Sequence, residues 1–86
     1  MGGRAAQDRG KPRGAYADEL VEALERFPDH PGMLYVVACA EAMAGREEAA
    51  IGHLRRAIEL RPSLAESARE NDDLAALRER AGWPIP

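Results

Sequence analysis

The side chains with the most chemical reach are Cys39, the two imidazoles His30 and His53, and the run Asn71-Asp72-Asp73. A reactive thiol needs a neighbouring base or positive charge to hold it as thiolate. Cys39 stands in "YVVACAEAM", with no basic residue beside it and no second cysteine in the chain. It can form neither an internal disulfide nor a cysteine-based metal site, and it reads as a small buried hydrophobe. His30 and His53 lie far outside the short spacing of a histidine metal pair. The acidic run lacks the twelve-position ligand spread and central glycine of a calcium loop, so helix capping is its better role. There is no nucleophile–base pair, phosphate-cradling glycine loop or nucleotide fingerprint. No catalytic, cofactor-binding or metal-ligating residue is assigned, and the chain is expected not to be an enzyme.

The elements that would carry any other function must then come from pattern. Eighty-six residues allow one small domain with a thin core. The net charge of −3 is unevenly spread. Residues 1–14 carry four bases against Asp8, and the remainder carries eight arginines against fourteen acids. An acidic body with a weakly basic leader does not make a nucleic-acid footprint. Nothing approaches the eighteen apolar residues of a membrane span, and the first residues lack the apolar core of a secretion signal. With a single cysteine, a reducing, cytoplasmic setting is expected. "MGGRAAQDRGKPRG" has almost no large apolar side chain, and 1–14 is expected to be a disordered leader.

Three helices follow. Over 15–28, Tyr16, Leu20, Ala23, Leu24 and Phe27 share one helical face, and Pro28 stops the run. "DHPGMLYVVACAEAMAG" offers Asp29 or His30 as cap and Pro31 at a first helical position. It is apolar all round apart from Glu41, which implies packing on more than one side, and Gly45 ends it. "REEAAIGHLRRAIELRP" shows Ala50, Ile51, Leu54, Ala57 and Ile58 on one face, with acids at its start and arginines toward its end, as the helix dipole favours. Gly52 in its middle is expected to serve close packing. Ser63 and Glu66 match a capping box, S-x-x-E. Asn71, Asp72 and Asp73 then interrupt the chain and cap a second short helix with an apolar edge at Leu74 and Leu77, ended by Gly82 and Pro84. Trp83 is expected to fold back onto Leu74 or Leu77.

Sliding the chain on itself by 34 positions aligns Ala15 with Ala49, Leu20 with Leu54, Ala23 with Ala57, Leu24 with Ile58 and Pro28 with Pro62. Apolar faces and stops coincide. A period of 34 with helix–turn–helix content resembles the tetratricopeptide repeat (TPR) family. Leu34, Val37 and Ala38 occupy the large, apolar and small positions of the first helix of that pattern, and Ala50, Leu54, Ala57 and Pro62 those of the second. Glu41 stands where the family has tyrosine, so that spot is expected to be partly solvated or paired with an arginine. The closing stretch, with Asp73, Leu74, Leu77 and Arg78, is similar to the end of some bacterial TPR arrays. The resemblance implies an all-α fold of antiparallel helix–turn–helix units: a TPR domain over 15–82, with a partial repeat at 15–28, a full repeat at 31–64, closing helices over 64–82 and a tail at 83–86.

The resemblance also implies function. TPR stacks bind extended peptides along the first helices of their repeats. That face here would show Tyr35, Cys39, Ala42 and Met43, and the closing helix would add Glu66, Arg69 and Asp73. The lysine and asparagine clamp of chaperone-binding members is absent, because Tyr35 and Cys39 stand in its places. The expectation is a protein–protein interaction or scaffolding module with a protein or peptide partner, no cofactor, no nucleic acid and no membrane. The alternatives are an accessory segment of a larger enzyme or regulator, and a self-association module. The helix at 15–28 lacks the helix that would precede it in a stack, so either a homo-oligomer formed through that face or excision from a longer protein is expected.

Overall fold

The computed structural model describes residues 13–85, and these are all-helical. Residues 1–12 of the expected leader lie outside them, whereas residues 13 and 14 belong to the first helix. In chain order the elements are α1 (Arg13–Arg26), α2 (Pro31–Met43), α3 (Glu47–Leu60), α4 (Leu64–Glu70) and a 3₁₀ helix (Asp72–Glu79).

Local chemistry sets the boundaries. The His30 side chain caps α2 by accepting a hydrogen bond from the Met33 amide at 3.0 Å, and Pro31 follows in the first turn. The far end of α2 closes as a Schellman motif. Arg46 N–H donates to the Glu41 carbonyl at 2.8 Å and Gly45 N–H to that of Ala42 at 3.1 Å, with Gly45 at φ +82°. Glu47 and Glu48 occupy the first turn of α3, which has no side-chain cap. The capping box expected at Ser63 does not form. Ser63 has helical backbone angles (φ −64°, ψ −17°) and makes no capping hydrogen bond, because a cap needs the extended backbone that aims its hydroxyl at the next turn. α1 begins two residues earlier than expected and ends before Phe27.

The short connections at 27–30 and 44–46 fold α1, α2 and α3 into successive antiparallel hairpins. α2 is central. It packs against α1, against α3 and against the 3₁₀ helix, which accounts for its almost wholly apolar sequence. One buried cluster joins Leu24 of α1 to Leu34 and Val37 of α2 and Ala57 of α3. A second joins Ala38 of α2 to Ala50, Ile51 and Leu54 of α3 and to Leu74 and Leu77. The alanines at 38, 50 and 57 are wholly buried, so the helices approach closely where no side chain intervenes.

The second short helix of the closing stretch forms as a 3₁₀ helix over Asp72–Glu79. With three residues per turn, positions i and i+3 align. Leu74 and Leu77 therefore point the same way, and both are fully buried. Arg78 Nη2 donates to the carbonyls of Ala68 at 3.2 Å and Asn71 at 3.0 Å, satisfying the end of α4. Trp83 packs half-buried against the second cluster, and Ile85 is buried within it, so the segment taken as a tail at 83–86 is part of the core up to Ile85. Gly52 does not serve packing. It is exposed, and a β-carbon there would meet nothing within 4 Å.

Candidate functional site

Among the described residues, three sides of α2 are covered by other elements and one is not. Residues 32, 36, 39 and 43 follow one another at helical spacing along the open side. Val36 is 45% exposed and Met43 37%, both unusual for large apolar residues on the central helix of so small a fold. Sequence reasoning named Cys39 and Met43 on this face and missed Val36. The signal was present, since Val36 lies four positions after Gly32 and three before Cys39.

Asn71 governs the edge of this strip toward the closing segment. Its side-chain nitrogen donates to the Tyr35 hydroxyl at 3.0 Å and to Cys39 Sγ at 3.5 Å. Its side-chain oxygen accepts from the Asp73 amide at 2.8 Å, which starts the 3₁₀ helix. Both hydrogen-bonding ends of the amide are thus used, and the closing segment is tied to α2. Tyr35, Cys39 and Ala42 also pack against the second core cluster. Burial pushes the Tyr35 phenol and the Cys39 thiol above their ordinary pKa values, and the Asp73 carboxylate adds to both shifts. The thiol is held neutral, the opposite of what a nucleophile requires. Arg69 on α4 and Asp73 on the 3₁₀ helix are both exposed. Of the expected site residues, Tyr35 and Cys39 are tied to Asn71, Ala42 packs on the second core cluster, and Cys39 and Met43 lie along the open side.

Glu41 corrects the sequence reading. It is neither solvated nor paired with an arginine: it is 3% exposed, and its Oε1 accepts a hydrogen bond from His53 Nδ1 at 2.6 Å. A carboxylate taken from water needs a charge-assisted partner, and His53 supplies it from α3. The exposed ion pairs tie elements together elsewhere. Arg46 Nη1 donates to Asp18 at 2.6 Å, and this bond holds the Asp18 carboxyl below its usual range. Arg56 reaches Asp29 at 3.1 Å, and Arg80 reaches Glu47 at 3.1 Å. Pairs this exposed contribute about 0–1 kcal/mol each.

Concavities elsewhere are shallow and charged. One is bounded by Arg46, Glu47, Glu48 and Arg80, another by Glu19, Glu22 and Arg26. Neither has the enclosed apolar lining of a small-molecule site. Among the described residues no three His, Cys, Asp or Glu side chains gather as metal ligands, and no helix is long and apolar enough to cross a membrane. Comparison with family models, with curated proteins and with solved structures yields no match.

Proposed function

We propose that the chain is a protein–protein interaction module of the tetratricopeptide-repeat type, binding an apolar peptide or helix along the open side of α2. The observation that carries the reading is the Val36–Met43 strip, an exposed apolar strip on an otherwise enclosed helix. Exposed apolar surface on a central, rigid element suits a docking partner that presents apolar anchors at alternate or helical spacing. Cys39 and Tyr35 form the strip's edge, held by Asn71, and Arg69 and Asp73 supply a polar rim. The 34-residue alignment of Leu20, Ala23 and Pro28 with Leu54, Ala57 and Pro62 supports the repeat assignment, as does the sequence of hairpins centred on α2. On this reading the module performs no catalytic step, takes no cofactor and works in the cytoplasm.

Selection of binders from a displayed random-peptide library tests it. Peptides enriched on the native domain should bind with NMR shift changes centred on Val36, Cys39 and Met43, and should lose binding to a folded Val36→Glu variant. Peptides that bind both forms alike would remove the strip from consideration.

A further inference from the structure

A second apolar surface lies on α1, away from the α2 strip. Tyr16, Leu20, Ala23 and Phe27 follow at steps of four, three and four, which places them within about 60° of one another around the helix axis. Phe27 lies just beyond the last turn and stays in register through its amide, which donates to the Leu24 carbonyl at 2.9 Å. Tyr16 is 47% exposed and Phe27 55%, while Leu20 and Ala23 are half-buried. The core-facing edge of the same helix, Ala17 and Leu24, is buried in the protomer. The stripe is thus an apolar overhang beside a committed face.

We propose that this stripe is a two-fold interface between copies of the chain, with the two α1 helices antiparallel. The stripe is its own complement. An axis crossing between Val21 and Glu22 sets Tyr16 against Phe27 of the second copy and Leu20 against Ala23 of the second copy, aromatic on aromatic at the ends and large on small at the centre. Charge agrees. Glu19 and Arg26 lie along one edge of the stripe, and the antiparallel order sets Glu19 against Arg26 of the second copy, twice over. In a parallel order these residues would face the edge carrying Ala17 and Leu24, which is already used by the core. Asp18, Glu22 and Glu25 turn away from the seam at helical spacing, so the remaining acids of α1 do not meet across it. The stripe covers about three turns of helix, so the interface is small and association falls at roughly 10–300 µM.

Sedimentation equilibrium of the full chain up to about 1 mM, with circular dichroism as the check on fold, tests this. The wild type is expected to dimerise. Phe27→Glu, at an exposed position, should stay helical and weaken association by about 30-fold or more, since it places a charge against the second copy's Tyr16. Glu19→Arg and Arg26→Glu should each weaken self-association by about tenfold. Mixing those two variants should restore association as a heterodimer, because both edge pairs become complementary again. A folded wild type that remains monomeric at 1 mM overturns the proposal and leaves the stripe to a segment of a longer chain. A dimer unmoved by Phe27→Glu and by the charge reversals also overturns it, and places the interface elsewhere.

Discussion

The Glu41–His53 pair predicts an asymmetry between its two halves. The Glu41 side chain is 4% exposed and the His53 side chain 29%. Removing the imidazole with His53→Ala strands a buried carboxylate that cannot turn to water. A hydrogen bond to a charged group is worth about 1.5–3 kcal/mol, and a stranded buried acceptor forfeits that in full. Removing the acid with Glu41→Met leaves an imidazole that can reach solvent, and puts an apolar side chain of similar length in an apolar site. That change should cost less than about 1 kcal/mol. A chain of this size has a total stability of about 4–10 kcal/mol. His53→Ala should therefore lower the melting temperature by roughly 10–20 °C, and Glu41→Met by less than about 8 °C. Urea unfolding followed by circular dichroism measures both, and the double variant completes the cycle with a coupling of about 1.5–3 kcal/mol, because no carboxylate is left to strand. A coupling near zero, or a larger loss from Glu41→Met than from His53→Ala, would refute the account of this pair.

Other expectations follow from single contacts. Gly52→Ala should stabilise by up to about 1 kcal/mol, read as a higher urea midpoint, because the added methyl meets open space in a helical backbone. Asn71→Ala should cost about 1.5–3 kcal/mol, losing a cap and the link to Tyr35 and Cys39; Tyr35→Phe in that background should add almost nothing more. Cys39 should alkylate slowly in the folded chain and readily in denaturant. Its thiol and the Tyr35 phenol are raised in the folded state, so the unfolded chain releases these protons first. Stability from these groups is fully present at neutral pH and should fall as pH rises above about 9.

What the sequence revealed and what it hid divide along chemical range. His30, Pro31 and Gly45 act on their own backbone neighbourhood, and each stood where its type predicts a helix start or stop. The apolar circumference of α2 announced several neighbours, and it has three. Glu41 was opaque because its partner sits on the next helix, twelve positions away, and only the hairpin register brings them together. Asn71 read as a cap; its second role needed the closing segment laid against Tyr35 and Cys39. Ser63 had the residue types of a capping box without the backbone angles, which spacing cannot supply. Gly52 read as a close-packing site, and the structure puts open space there instead, because a glycine's type does not say which face of its helix is covered. Tyr16 and Phe27 fell on the apolar periodicity of α1, yet periodicity does not say whether a face is covered by the same chain.

The proposed docking strip on the open side of α2 carries the functional reading. Its most direct test is isothermal titration of a library-selected peptide into the native domain and into Val36→Glu, with circular dichroism confirming that both are folded. Measurable binding to the native domain and at least a tenfold loss in the variant are expected. Equal affinity for the two would contradict that reading.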